Sequence, residues 1–337
     1  MTKEPNEMMR ITILFGGTNK ERLVSVASAQ ALHAALPEAD LWFWDVDDTV
    51  HETSSEMLVK HSRPFEHPFR PGTPSLGKIE QALDRARGED RLLVLGLHGG
   101  RAENGELQAM CEMRGIPFTG SGSASSHLAF DKVAAKRFAA IAGVKAPQDI
   151  PLEDLDAAFA EYGKLIAKPA RDGSSYGLIF VNAKQDLVAV RNAAKTEEYL
   201  IEPFVSGVEA TCGVLERSDG TAISLPTVEI IPGEGAFDYT AKYLLKSTQE
   251  ICPGRFSPEI SAAIMDQALR AHRALSCSGY SRTDFIVSDK GPVYLETNTL
   301  PGLTKASLYP KALKAQGIEF ADFLRDQIAL AEKRTHR

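Results

Sequence analysis

Apolar positions along the chain alternate between short continuous runs and longer stretches of helical period. Ile11–Phe15 is the first run, and it stops at Gly16-Gly17. Helical spacing then continues through Val24, Ala27, Ala31 and Leu32, which predicts a strand, a tight glycine turn and a helix. Leu41–Val46 and Leu92–Leu97 are further runs of buried-strand type, and Glu106–Arg114 after the second is amphipathic. Strands alternating with helices imply a parallel sheet flanked by helices. Ser62–Gly77 carries Pro64, Pro68, Pro71 and Pro74 and predicts an irregular surface segment, because proline neither donates to a ladder nor continues a helix.

A second unit is expected to begin near Gly120-Ser121-Gly122. It opens with a helix over Asp131–Ala142, closed by Gly143 in the left-handed role. Strands follow at Leu165–Lys168, Leu178–Val181 and Tyr199–Phe204, then at Val208–Leu215 and Ala222–Ile230. After a long loop, Ile231–Arg255, Ser257 can cap a helix over Pro258–Leu275 with Pro258 in its first turn. Two more strands and a helical stretch finish the chain. The expected division is 1–120, 121–204 and 205–337.

Composition narrows the function classes. The 337 residues are too many for one simple core, and 43% hydrophobic with 25% charged residues is ordinary for a globular protein. A formal charge of -7 argues against non-specific nucleic-acid binding, which needs a basic surface. Cys111, Cys212, Cys252 and Cys277 form no CxxC pair, so neither a disulfide framework nor a zinc site is suggested. No stretch is long enough to cross a membrane and no leader pattern opens the chain, so a reduced cytoplasm is the expected location.

The strongest chemical signal lies in Ser281–Asn298. Ser281–Val287 and Pro292–Asn298 flank Ser288-Asp289-Lys290-Gly291, a hairpin signal. With a three-residue loop, 289–291, Ser288 opposes Pro292, Asp284 opposes Glu296 and Arg282 opposes Asn298. Phe285, Val287, Val293 and Leu295 then share an apolar face, and Arg282, Asp284, Glu296 and Asn298 share the other. Two carboxylates directly across a strand pair repel each other, and a divalent cation removes the conflict. Carboxylate and amide oxygens suit magnesium. The plain alternative is a solvated face on which Arg282 neutralises both acids.

Lys168-Pro169 and the Gly/Ser-rich run to Gly177 lie between two expected strands, as a phosphate cradle could, though no GK[ST] leads into a helix. Gly16-Gly17 lacks the G-x-G-x-x-G spacing, which sets aside a dinucleotide-dependent oxidoreductase.

Taken in order, these segments resemble the D-alanine–D-alanine ligases of the ATP-grasp superfamily. The resemblance covers nearly the whole chain. It rests on Gly16-Gly17-Thr18 with Glu21-Arg22 and Val24-Ser25; Leu97-His98-Gly99 with Gly105, Leu107 and Gln108; Thr119-Gly120-Ser121-Gly122; Asp131-Lys132; and Lys168-Pro169 through Gly177. It continues in Phe237-Asp238-Tyr239, Ala241-Lys242-Tyr243, Arg282 with Asp284, and Glu296 with Asn298-Thr299-Leu300-Pro301-Gly302-Leu303-Thr304.

The resemblance implies α/β and α+β domains: an ATP-grasp fold preceded by a Rossmann-like N-terminal domain that holds the first D-alanine. It implies ATP-dependent joining of two D-alanines through an acyl phosphate, for peptidoglycan precursors, by a homodimer using Mg2+ (or Mn2+), with two ions. Matched motif to motif, Asp284, Glu296 and Asn298 are the implied metal ligands. Lys132, Lys168, Glu202, Val205, Glu209 and Lys242 are the implied ATP contacts, Lys242 from a mobile loop within 231–255. Glu21 is implied to pair with the ammonium of the first D-alanine, with Ser174 and Tyr243 completing a triad that locks the loop. His98 is implied near the first carboxylate, Arg282 and the Gly302 N–H at the oxyanion, and Ser307 and Leu308 at the second carboxylate. The chain departs from the family pattern at Asn104, where Asp is common, at Pro203, where lysine often stands beside adenine, and at the bulky Tyr176. A ligase for a different D-amino-acid pair and a catalytically silent ATP-binding protein are the alternatives.

Overall fold

A computed structural model describes residues 9–171, 177–232 and 248–335. The first sheet contains β1 (Arg10–Gly16), β2 (Asp40–Trp44), β3 (Thr49–Thr53), β4 (Ser75–Lys78) and β5 (Arg91–Leu95), in the order β4-β3-β2-β1-β5. β1 is parallel to β2 and to β5, whereas β3 and β4 add antiparallel. The sheet is thus mixed rather than wholly parallel, and the cause is local. Between β2 and β3 the chain has only Asp45–Asp48, closed by Asp45 N donating to Thr49 O at 2.7 Å, with Asp48 at φ +71°. So short a connection can return only antiparallel. β4 also takes residues 75–77 out of the segment expected to be irregular.

β1 ends where the glycine pair requires it. Gly16 stands at φ +100°, and a Cβ there would collide with the Trp44 carbonyl oxygen, to which Gly17 N donates at 2.7 Å. The chain can then enter helix Arg22–Ala35, which buries Val24, Val26, Ala29 and Leu32 against the sheet.

Helix Lys132–Ile141 is capped by Asp131, whose side chain accepts from Ala134 N at 3.0 Å, and Gly143 follows at φ +81°. β6 (Leu165–Pro169), β7 (Ile179–Val181) and β8 (Tyr199–Pro203) form an antiparallel sheet, β7-β6-β8. The largest sheet holds β9 (Val208–Glu216), β10 (Ala222–Ser224), β11 (Val228–Ile231), β12 (Gln249–Ile251), β13 (Tyr280–Ser288) and β14 (Gly291–Asn298). Its order is β12-β11-β9-β13-β14, with β10 pairing β9. The single strand expected over Ala222–Ile230 is therefore two, broken at Leu225-Pro226-Thr227, where the proline has no N–H to donate. The expected long loop likewise contains β12, and its residues 233–247 lie outside the described residues.

Helix Pro258–Ala274, capped by Ser257 accepting from Ile260 N, crosses this sheet. Ile264, Ala268 and Ala271 pack with Cys212, Phe285 and Tyr294 in one cluster. Among the described residues no helix is long and apolar enough to cross a membrane.

Phe285 is fully buried and sits next to Asp284 in β13. Phe285→Ala is expected to cost about 3–5 kcal/mol, as large aromatic truncations in packed cores do. Urea unfolding measures it, and a loss below about 1 kcal/mol would show that this helix–sheet cluster does not hold β13 in place.

Candidate active site

The hairpin β13–β14 places the polar set as the sequence pattern expects, by a different route. Asp284 opposes Glu296 and Arg282 opposes Asn298. The turn is tighter, however, because Ser288 opposes Gly291 rather than Pro292. A bulge between Asp284 and Phe285 restores the register, so Phe285 opposes Tyr294. Tyr294, not Val293, is therefore buried beside Phe285, and Leu295 lines the cavity instead of the core. Two offsets cancel at the position where the charge conflict had to be resolved.

The Arg282 guanidinium grips Asp284 with both arms, Nε to Oδ1 at 2.9 Å and Nη2 to Oδ2 at 2.8 Å. Thr211 on β9 donates to Asp284 Oδ1 at 2.6 Å, and Asn298 Nδ2 donates to Oδ2 at 3.3 Å. Lys132 Nζ lies 3.6 Å from Glu296 Oε2. Arg282 thus holds Asp284 from its own strand, and Lys132 attends Glu296. Asp284, Glu296 and Asn298 gather carboxylate and amide oxygens on one face, a donor set that fits a hard divalent cation completed by water or phosphate oxygens. Among the described residues no group of three His, Cys, Asp or Glu side chains has metal-binding geometry, so an ion here depends on the Asn298 amide or on substrate oxygens.

This face borders a cavity of about 680 Å3 lined by strands of the central and largest sheets and by segments that follow strands of the first, within the usual range for ligand sites. Glu21 comes from the turn after β1, and His98 and Glu103 come from the segment after β5. Asn19 ties two of their loops together, accepting from Glu21 N at 2.7 Å and donating to His98 O at 2.8 Å. Gly99, at φ +66°, admits the Glu21 carboxylate where any Cβ would collide with it. His98 Nδ1 lies 3.2 Å from Leu300 O, and the Ser28 hydroxyl lies 2.8 Å from Nε2. These partners suit a neutral ring that donates from Nδ1 and accepts at Nε2. Burial, with Arg282 nearby, lowers the His98 pKa to about 4.

Glu103 was not expected at the site. It lies in the Gly99–Gly105 run, where its five-residue offset from His98 was the available signal. Desolvation first, then the charge of Glu21, raises its pKa to about 7, and Gly99 N donates to it at 3.0 Å.

At the other end, Lys168 on β6 lies 3.1 Å from Glu202 on β8. Lys136, one turn beyond Lys132 and also not expected, holds the other Glu202 oxygen at 2.5 Å and pairs with Asp149. Val205 and Glu209 line the same end. Gly302, Ser307 and Leu308 line the cavity at the start of helix Leu308–Ala315. The Ser307 hydroxyl turns to Thr304, 2.8 Å from its Oγ1, and makes no cap bond to its own helix. The first-turn N–H groups thus lack a side-chain acceptor, an arrangement that suits an anion. Ser174, Lys242 and Tyr243 lie outside the described residues.

A mixed first sheet, an antiparallel central sheet and a large sheet carrying an acid–amide hairpin, closed round one cavity, define an ATP-grasp ligase architecture. The family model described as D-ala D-ala ligase N-terminus matches residues 10–121, and that of the C-terminus matches residues 157–329. The D-alanine–D-alanine ligase of Nitrosomonas europaea is 36% identical over 324 residues, covering 94% of this chain and 94% of that protein. The crystal structure of the VanG D-Ala:D-Ser ligase from Enterococcus faecalis superposes with a TM-score of 0.77 at 29% identity, covering 96% of this chain and all of that one. A D-alanine–D-alanine ligase from Bacillus anthracis, solved in complex with ATP, gives 0.75 at 26%, covering 98% and 99%. The chain belongs to the D-alanine–D-alanine ligase family.

The two shifted groups act on stability with opposite sign. His98 has a lowered folded pKa, so its contribution is complete above about 6.5 and is lost as pH falls towards 4. Glu103 has a raised one, so the native state loses stability as pH rises from about 4.5 to 7. The stability difference between wild type and His98→Gln is expected to rise with pH from about 4 to 6.5, and that between wild type and Glu103→Gln to fall from about 4.5 to 7. Chemical denaturation from pH 4 to 7.5 checks both, and parallel curves for the two variants would refute the assignment.

Proposed function

We propose that the chain joins two D-alanines to D-alanyl-D-alanine at the expense of ATP, in the cytoplasm and as a homodimer, for peptidoglycan precursor synthesis. The observation that carries this reading is the meeting, in one cavity, of an acid–amide hairpin with Lys132 beside it, Lys168 paired with Glu202, and an uncapped helix start. In this reading the γ-phosphoryl group of ATP passes to a carboxylate oxygen of the first D-alanine, releasing ADP. The amine of the second D-alanine attacks the carbonyl carbon of that acyl phosphate, loses a proton, and phosphate leaves as the peptide bond forms.

Each residue type answers a need of that sequence. Asp284, Glu296 and Asn298 would hold Mg2+ or Mn2+, two ions in all. Bound there, the ions supply charge neutralisation at the nucleotide phosphates. Lys132 and Lys168 add fixed positive charge at the same place, and Lys242 would join them from its loop. Glu202, Val205 and Glu209 receive the nucleoside. Lys136 and Lys168 hold the Glu202 carboxylate between them, so it reaches the base already oriented. Glu21 pairs with the ammonium of the first D-alanine, and His98, held by Leu300 O and Ser28, lies near its carboxylate. Arg282 and the Gly302 N–H stabilise the oxyanion that develops during both steps. Ser307 and Leu308 take the second carboxylate at the helix start. Ser174 and Tyr243 complete the triad with Glu21 that closes the site and keeps water from the acyl phosphate.

A second reading keeps the chemistry and changes the second amino acid. What favours it is the 29% identity with a solved D-Ala:D-Ser ligase.

ADP release with Mg2+, ATP and D-alanine alone, with product masses recorded, separates the two. The dipeptide mass is expected; turnover only with mixed pairs would favour the second reading. Glu296→Gln is expected to reduce turnover by at least about 1000-fold while thermal unfolding stays near wild type, since the change removes a ligand and relieves repulsion together. Near wild-type turnover would sink the metal assignment. Tyr243→Phe is expected to relax the choice of second substrate towards hydroxy acids, and an unchanged amine-to-hydroxyl ratio would count against the closing triad.

A further inference from the structure

Two acids that line the cavity have no part in the chemistry above, Glu229 on β11 and Glu250 on β12. A cavity that receives a triphosphate and two carboxylates is opposed by bare carboxylates in its wall, so the cations that meet these acids matter. Glu229 is settled locally. Arg255 grips it with both arms, Nε to Oε2 at 2.9 Å and Nη2 to Oε1 at 2.8 Å, and Arg255 N donates to Oε2 at 3.0 Å. Glu250 is answered from another element. Its Oε2 accepts from Lys311 Nζ, and Lys311 lies in helix Leu308–Ala315.

That helix is the one whose start lines the cavity at Ser307 and Leu308. Lys311 stands in its opening turn, where Lys311 N donates to Ser307 O at 3.2 Å. The same turn has a second tether. Tyr309, whose ring is buried, donates from its hydroxyl to Val214 O on β9 at 2.8 Å. The two bonds therefore fix one helical turn to two strands of the largest sheet, β9 inside it and β12 at its edge, with β11 between them. A single tether leaves a helix free to pivot, whereas two on different strands set both the place and the direction of its start. The ion pair is the more sensitive of the two. Its side chains are 35% exposed at Lys311 and 17% at Glu250, so the pair is partly desolvated and loss of the cation leaves a poorly hydrated charge in the cavity wall. Lys311 itself is not among the described residues that line the cavity.

We propose that Lys311 is a positioning residue for the second amino acid: through Glu250 it holds the helix start and cancels a charge that would oppose the incoming carboxylate. The inference rests on the ligase reading above and adds to it the support behind the second-carboxylate site. The charge gives it a signature. Lys311→Met keeps the length of the side chain but breaks the pair and bares the Glu250 carboxylate. Glu250→Gln breaks the same pair and leaves no acid behind. Adding Glu250→Gln to Lys311→Met therefore restores binding, a direction that lost packing alone does not give.

The test measures kcat and the KM values for ATP and for both D-alanine sites in wild type, Lys311→Met, Lys311→Arg, Glu250→Gln and the Glu250→Gln, Lys311→Met double variant. Lys311→Met is expected to raise the second-site KM by about tenfold, the scale of one uncompensated charge near a bound anion. Its kcat and its ATP and first-site KM values should stay within about twofold of wild type. Lys311→Arg, Glu250→Gln and the double variant should keep the second-site KM within about threefold of wild type. An unchanged second-site KM in Lys311→Met would overturn the proposal. So would a rise shared equally by ATP, or a double variant no better than Lys311→Met. Thermal unfolding of every variant, expected near wild type, separates lost binding from lost fold, and Lys311→Gln repeats the comparison should Lys311→Met not fold. Wild type that forms no dipeptide would instead remove the ligase reading and this inference with it.

Discussion

Two carboxylates face each other across an antiparallel pair, Asp284 on β13 and Glu296 on β14, and the rest of the site is arranged round that conflict. Like charges at directly opposed positions destabilise a sheet, so the pair persists only with compensation on the same face. The two acids are compensated differently. Asp284 is locked by Arg282, Thr211 and Asn298, all on strands of the same sheet. Glu296 has Lys132, which arrives on a helix from outside that sheet. One acid is therefore held by its own scaffold, while the other is coupled to an element that must dock.

The same division recurs at Glu202. Lys168 reaches it from the neighbouring strand β6, and Lys136 comes from the helix that carries Lys132. Removing either lysine would leave a carboxylate with only 2% exposure short of a counter-charge, which is far costlier than losing a surface pair. Lys132–Ile141 is thus one helix with two cations a turn apart, each directed at an acid on a different sheet. The spacing joins the hairpin and the central sheet into a single electrostatic unit.

How much of this was legible in the sequence depends on how local each feature is. The opening strand, the Gly16 turn, the helix closed by Gly143 and the helix capped by Ser257 were legible because each is fixed by neighbours within a few residues. The pairing of Asp284 with Glu296 was also legible, although only because a bulge offset an error of one residue in the turn. The antiparallel edge of the first sheet was not, since hydrophobic runs do not encode strand direction. Nor was Lys136, whose buried partner Glu202 lies 66 positions away. Glu103 stood in a run already singled out, but its importance comes from its approach to Glu21, which spacing alone does not give.

His98 and Glu103 make the case that the first sheet contributes chemistry and not only support. Five residues apart, they are driven in opposite directions by the same desolvation: the imidazole towards its neutral form, the carboxyl towards its protonated one. Both are thereby pushed away from charge in a region where Glu21 and Arg282 carry it. A site that must receive an ammonium and a carboxylate side by side benefits from few fixed charges, each with a set partner, because every extra buried charge would bind the wrong end of a zwitterion. Neutral His98, held by Leu300 O and Ser28, adds no charge that would draw a carboxylate out of place, and the raised pKa of Glu103 weakens its competition with Glu21. Sorting by desolvation, rather than by adding counter-charges, is what lets one end of the cavity orient a molecule as small as an amino acid.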